Sequence, residues 1–144
     1  MRAHNQMGVT MTQLRLPLFL TRLSIFYFLL PWQIMRFTKP ESASGIAKKY
    51  YHVGGLNESV GLVIAVFWMA LLIAFLVGFK KTVSYGLVFV LHAGAILLAL
   101  PAYIMGTAGF NQLFLAAIPA AAAMGLLWML RKEDTLLSLS GKLG

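Results

Sequence analysis

Residues 59–105 read SVGLVIAVFWMALLIAFLVGFKKTVSYGLVFVLHAGAILLALPAYIM and contain two long apolar runs separated by a pair of lysines. Crossing the hydrocarbon layer of a membrane, about 30 Å thick, takes about 20 helical residues. The runs on either side of Lys80 and Lys81, residues 59–79 and 82–105, both reach that length. Because so few residues connect them, we expect an antiparallel pair of membrane-spanning helices.

Two further apolar runs, residues 16–35 and 112–130, extend this pattern. Arg36 follows the first run and Arg131 follows the last, as is usual where a spanning helix meets water. The sequence therefore predicts an all-α fold: a polytopic membrane protein with a bundle of four transmembrane helices. The 144 residues form a single membrane domain in this prediction.

Composition excludes an ordinary soluble domain. The chain is 60% hydrophobic and 11% charged with a mean hydropathy of +0.80, against roughly 45–50% apolar and about 25% charged residues in soluble domains. The net charge of +8 comes from basic residues that flank apolar runs, so the predicted partner is the lipid bilayer and not nucleic acid. The absence of cysteine excludes disulfides and cysteine-ligated metals within this chain.

The distribution of basic residues predicts the orientation. With both termini cytoplasmic, eight Lys and Arg lie inside and four outside, and this arrangement follows the positive-inside rule. The inner set is Arg2, Arg15, Arg22, Lys80, Lys81, Arg131, Lys132 and Lys142, and the outer set is Arg36, Lys39, Lys48 and Lys49. Arg22 interrupts the first run, which we expect to be retained as a helix. Its side chain is expected to reach the cytoplasmic headgroups, and the alternative is an anion contact or a link to a neighbouring subunit.

The polar segment of residues 37–58 is predicted to lie on the periplasmic side. Thr38 and Glu41 have capping-box spacing around Pro40, which predicts a short interfacial helix running towards Tyr51 and ended by Gly54 and Gly55. A cluster of two lysines and two tyrosines is typical of an anchor in the headgroup layer, and the alternative is a docking surface for a partner. The cluster consists of Lys48, Lys49, Tyr50 and Tyr51.

Small residues recur every four positions in two of the runs. This spacing predicts faces on which helices pack closely, within the chain or against another protein. The first set is Ala117, Ala121 and Gly125, and the second is Ala70, Ala74 and Gly78.

His92 is the polar residue nearest the middle of a run, about 15 Å along the third helix. Tyr85 and Tyr103 share its face at helical spacing, and the three form a candidate quinone site. The alternative is a neutral imidazole that hydrogen-bonds a neighbouring helix. Haem is not expected. His4 and His52 lie on opposite sides of the predicted membrane, so neither can reach His92 to serve as the second haem ligand. Only a methionine such as Met69 could pair with His92.

Nothing in the sequence indicates catalysis by this chain alone. The four acidic residues, Glu41, Glu58, Glu133 and Asp134, all lie outside the apolar runs, and no catalytic residue or metal ligand set is predicted.

Several short motifs resemble DoxX-like bacterial inner-membrane proteins, over most of the chain from Arg22 onward. They are Arg22-Leu23-Ser24, Phe28-Leu29-Leu30-Pro31-Trp32, Arg36-Phe37 with Pro40, Ser84-Tyr85-Gly86, Leu91-His92-Ala93 and residues 131–137, RKEDTLL. The resemblance implies a four-helix bundle in a bacterial inner membrane, and some family members are similar to a small subunit of thiosulfate:quinone oxidoreductase. Trp32 stands where many relatives carry glycine.

The function expected from these observations is that of a non-catalytic accessory subunit of a larger respiratory or oxidising membrane complex. The packing faces and the lack of a catalytic set favour it, and the redox setting comes from the resemblance alone. The second hypothesis is a quinone-interacting electron-transfer subunit. A small-solute transporter is the weakest, because intramembrane charges and paired broken helices are missing.

Overall fold

The computed structural model describes residues 11–54, 57–104 and 112–141, and regular structure over these residues is entirely helical. This confirms the predicted all-α class. The helices are α1 (Met11–Thr38), α2 (Pro40–Tyr51), α3 (Glu58–Leu76), α4 (Lys81–Ile104) and α5 (Gln112–Met129), followed by one 3₁₀ turn at Leu139–Gly141.

Three of the described helices, α1, α3 and α4, are long and apolar enough to cross a membrane. The described apolar part of α5, Leu115–Met129, is about 22 Å long at 1.5 Å per residue, which is less than the hydrocarbon thickness. The bundle also directs large apolar side chains outward; Val63 is 69% exposed and Leu97 is 67% exposed. Water would penalise such a surface and lipid would not, so the structure is that of a membrane protein.

The core lies where α1, α3, α4 and α5 meet. Its buried members include Leu29 of α1, Leu72 and Phe75 of α3, Val88 of α4 and Leu127 of α5. α4 packs closely against α5: a Cβ added at Gly86 would lie 2.9 Å from Nε1 of Trp128.

The first helix extends beyond the predicted end of the apolar run. α1 continues through Pro31 and past the predicted end at residue 35 to Thr38. The second helix spans Pro40 to Tyr51, as the sequence predicts. The capping prediction is wrong in detail, because the Thr38 hydroxyl donates to the Ile34 carbonyl at 3.1 Å and Lys39 occupies the N-cap.

The helices leave two distinct ends to the bundle. At the turn end, residues 77–80 join α3 to α4 beside the N-terminal half of α1 and the C-terminus of α5. At the α2 end, His52 closes α2 in the left-handed conformation, ahead of the glycines predicted to do so. The Asn57 side chain then caps α3 by accepting from the Val60 amide at 2.9 Å.

Candidate functional site

Three polar side chains from distant parts of the sequence meet inside the turn end. Arg22 of α1, Tyr85 of α4 and Asp134, which follows α5, are each 0% exposed. Arg22 Nη1 lies 3.3 Å from Asp134 Oδ2 and donates to the Tyr85 hydroxyl at 3.1 Å; that hydroxyl donates to Asp134 Oδ2 at 2.6 Å. Arg22 Nη2 also donates to the carbonyls of Leu136 and Leu137. The guanidinium charge is therefore paired, and both Nη atoms are hydrogen-bonded within the protein, while Arg22 Nε has no partner.

The chain after α5 folds back over this cluster, and we call residues 130–141 the C-terminal clasp. The Leu139 amide donates to the Val77 carbonyl at 2.9 Å. The Gly78 carbonyl accepts from the Ser140 hydroxyl at 2.7 Å. These bonds satisfy carbonyls that the end of α3 would otherwise leave without partners, so the clasp serves as a cap for that helix.

Gly78 is the residue that lets the clasp close. Its φ is +63°, in the left-handed region that favours glycine. A Cβ there would lie 2.6 Å from both Arg22 Nη1 and Ser138 Oγ, closer than atoms can approach. Sequence spacing had assigned Gly78 to a helix-packing face, but it lies beyond α3, and its lack of a side chain makes room for the arginine.

The expectation that Arg22 reaches the cytoplasmic headgroups is wrong. Its side chain is fully buried because Asp134, which lies outside the apolar runs, is carried back to it by the clasp. A buried charge with a hydrogen-bonded counter-charge is tolerated where an isolated one is not.

This cluster holds the fold together and has no opening for a reactant. All three side chains have no exposed surface, and the arginine and carboxylate already contact each other. Among the described residues, no three metal-ligating side chains come together.

His92 lies at a separate cavity towards the α2 end. Its Nε2 is 3.2 Å from the Ala117 carbonyl, so this nitrogen carries the proton and donates. The Phe28 ring makes an edge contact with the imidazole, with 5.7 Å between the two ring centres. The cavity holds about 120 Å³. Its other aromatic walls are Trp32, Tyr51 and Trp68.

Gln33 and Arg36 line the same cavity and were not identified as site residues from the sequence. Gln33 is only 3% exposed; its Nε2 faces the Leu29 carbonyl at 3.4 Å, and its Oε1 has no hydrogen-bond partner. The sequence offers one signal for Gln33, which is an amide in the second-last turn of α1, two residues before the predicted end of the apolar run.

The predicted quinone set does not gather at one place. His92 lines the cavity, whereas Tyr85 is two turns away in α4 and belongs to the arginine cluster. Tyr103 falls on α4, but its side chain lies outside the described part of the chain. Helical spacing placed the first two on one face, yet positions on one face still differ in depth.

The small-residue face on α5 packs within the chain. Ala117 accepts from His92 of α4, and a Cβ added at Gly125 would lie 3.2 Å from the Phe89 ring of the same helix. Ala121, between them, is half-buried.

The second set of small residues does not form one packed face. Ala74 is half-buried and Gly78 is buried in the turn, but Ala70 is exposed on the outer surface of α3. Ala70 is therefore the member of the set that remains accessible to lipid or to another protein.

The predicted anchor cluster occupies the last turn of α2. Lys48 and Lys49 are exposed, and Lys49 Nζ lies 5.1 Å from the centre of the Tyr50 ring. Tyr51 is half-buried, and this burial raises the pKa of its phenol while the nearby charge of Arg36 acts in the opposite direction. The lysines therefore face outward while Tyr51 faces the cavity.

Comparison with protein-family models, with curated proteins and with solved structures finds no match for this chain.

Proposed function

We propose that the chain crosses a bacterial inner membrane four times, with both termini cytoplasmic and α2 on the periplasmic surface. The close packing of α5 against α4 supports its being the fourth span. The basic side chains also divide unevenly between the two ends. Lys80, Lys81, Arg131 and Lys132 at the turn end add to the positive charge that the rule assigns to the cytoplasm.

Cysteine labelling tests this orientation. Ser42 in α2 and Thr135 in the clasp are both exposed, whereas Ser138 is buried and bonded to Gly78, so the first two are the suitable positions. We expect Ser42→Cys to react with an impermeant maleimide in intact cells and Thr135→Cys only after permeabilisation. The reverse pattern would invert the orientation, and labelling of both from outside would remove one span.

We further propose that the protein is a non-catalytic accessory subunit of a larger respiratory or oxidising membrane complex. The observation that supports a structural role is the closed Arg22–Tyr85–Asp134 cluster. The two fully buried charges among the described residues pair with each other and fix the clasp instead of facing a cavity. The oxidising setting rests on the DoxX-like resemblance.

The exposed Ala70 gives this proposal a specific test. A leucine there would hinder close approach of a second helix without adding bulk to the core of this chain. We expect the wild-type chain to co-purify from native membranes with a larger partner in fixed stoichiometry, and Ala70→Leu to weaken that association at unchanged melting temperature. The matched variant Ala121→Leu, on the internal face, should lower the melting temperature itself. Recovery of the wild-type chain alone would overturn the proposal.

A second candidate function, quinone binding, is favoured by the His92 cavity. Its volume of about 120 Å³ is close to the roughly 150 Å³ that holds one benzene-sized ring in a protein interior. Aromatic walls and the polar Gln33 and His92 suit a ring that carries oxygen substituents. A quinone that remains bound through purification from native membranes, and is lost in Ala95→Phe, which fills the cavity, would support it; a cavity that never retains a quinone would remove it.

A further inference from the structure

A second and larger cavity lies at the α2 end, between the end of α1, α2 and the first turns of α3. It holds about 470 Å³, a volume within the usual range for small-molecule sites. Its charged lining consists of Arg36, Glu41 and Glu58. Gly61 and Ile64 continue the wall along α3.

The charged groups of this cavity do not satisfy one another. Within the described residues the only ion pair is that of Arg22 with Asp134, so the charged groups here lie beyond pairing distance. Arg36 is half-buried, and its Nε has no hydrogen-bond partner. One cation and two carboxylates therefore face a common space with their charges available.

This arrangement discriminates between ligand charges. A simple anion attracted by Arg36 would meet repulsion from Glu41 and Glu58, and a simple cation would meet the reverse. A ligand that carries both charges a few ångströms apart satisfies all three groups. A phosphate bound by the arginine and an ammonium bound by the carboxylates is such a ligand.

We propose that this cavity binds the headgroup of a zwitterionic phospholipid whose ammonium bears N–H donors, as in phosphatidylethanolamine. The phosphate lies at Arg36, the ammonium lies at Glu41 and Glu58, and the acyl chains leave past Ile64 along α3. A lipid is favoured over a soluble zwitterion because the outer face of α3 is apolar, with Val63 and Phe67 exposed. The inference goes beyond the proposed function and rests only on the proposed position of α2 at the membrane surface.

The turn end supplies an internal control. A shallow depression there is lined by four basic residues and no acid, so it should prefer anionic lipids. Its basic residues are Lys80, Lys81, Arg131 and Lys132.

The test is native mass spectrometry of the purified full chain with equal amounts of phosphatidylethanolamine, phosphatidylcholine and phosphatidylglycerol. We expect phosphatidylethanolamine to bind about tenfold more tightly than phosphatidylcholine, because the choline nitrogen has no N–H to donate to a carboxylate. Glu58→Gln should abolish that preference, and Arg36→Gln should weaken the binding of both lipids, because they share the phosphate. The control Lys132→Gln should weaken phosphatidylglycerol binding and leave phosphatidylethanolamine binding unchanged.

Several results would overturn the inference. They are equal binding of phosphatidylethanolamine and phosphatidylcholine to the wild type, or phosphatidylglycerol binding that depends on Arg36. Competition by soluble glycerophosphoethanolamine at the affinity of the intact lipid would replace the lipid by a free zwitterion. The melting temperature of each variant identifies one that fails to fold. If Arg36→Gln or Glu58→Gln fails to fold, the result with the other of these two variants decides. Cysteine labelling at Ser42 tests the orientation separately. If Ser42→Cys is labelled from outside but the wild type shows no lipid preference, this inference is rejected and the proposed orientation stands.

Discussion

Arg22 and Arg36 lie about 21 Å apart along the same helix, yet their surroundings differ completely. Arg22 at the turn end is fully buried against Asp134. Arg36 at the α2 end is half-buried, forms no ion pair with the described residues and lines two cavities. The chain folds back over the first arginine and leaves space around the second. One end of the bundle is thus built for stability, and the other has room and unpaired charge for a ligand.

Asp134→Ala tests the stabilising role of the turn end and should have the largest effect. Removing the carboxylate leaves the Arg22 charge buried without a counter-charge, and the loss of unfolding free energy should be about 3–5 kcal/mol. Denaturant titration in detergent, followed by circular dichroism, measures it. The double variant Arg22→Met/Asp134→Leu, with no charge to bury, should recover much of the loss; a double variant as unstable as Asp134→Ala would contradict the ion-pair account.

Gly78→Ala tests whether the clasp closes because that position lacks a side chain. Holding alanine at a φ of +63° costs about 1–3 kcal/mol, and the new Cβ would also displace Arg22 or Ser138. Gly94→Ala is the control, because a Cβ there meets nothing within 4 Å and alanine favours a helix. The same titration should show Gly78→Ala clearly less stable and Gly94→Ala no less stable than the wild type. Equal stability of the two variants would mean that the turn can rearrange.

His92→Gln should have a small effect on stability. A glutamine amide can still donate to the Ala117 carbonyl, and a hydrogen bond between membrane helices contributes about 0.6 kcal/mol on average. If His92 only links α4 to α5, quinone turnover by an associated complex should also stay nearly unchanged. A strong fall in turnover in a fully assembled complex would instead support the quinone function, because glutamine cannot exchange protons near neutral pH.

Arg36→Gln should change stability least, by no more than about 0.5 kcal/mol. The side chain forms no ion pair within the described residues and has an unpartnered Nε, so its removal breaks no strong contact. Thermal unfolding of the lipid-free protein is the measurement. A loss comparable to that of Asp134→Ala would show that the two ends are equally dependent on their arginines.

The helices were predictable from the sequence because each depends on local pattern. Long apolar runs located α1, α3 and α4, and Pro40 marked the start of α2. The ion pair was not predicted, because it joins residues more than a hundred positions apart through a clasp that hydropathy does not reveal. A signal did exist: a charge inside an apolar run requires a partner, and Asp134 in the RKEDTLL motif was available.

The site at the α2 end was predicted only in part for a different reason. His92 was identified because a histidine at mid-depth is conspicuous, whereas Gln33 and Arg36 were interpreted as residues at the end of a helix. α1 in fact continues to Thr38, and this extension keeps Arg36 in the bundle. Three of the motifs behind the DoxX-like resemblance contribute Arg22, Tyr85 and Asp134 to the same cluster.

The distance in sequence between Arg22 and Asp134 also sets an order of events during synthesis. The ribosome adds roughly 5–20 residues per second, so the arginine is synthesised roughly 6–22 s before its carboxylate exists. During that interval the first helix must be held with an unpaired charge, by the insertion machinery or by water at the membrane surface. A chain that stops before residue 134 carries this charge without its partner.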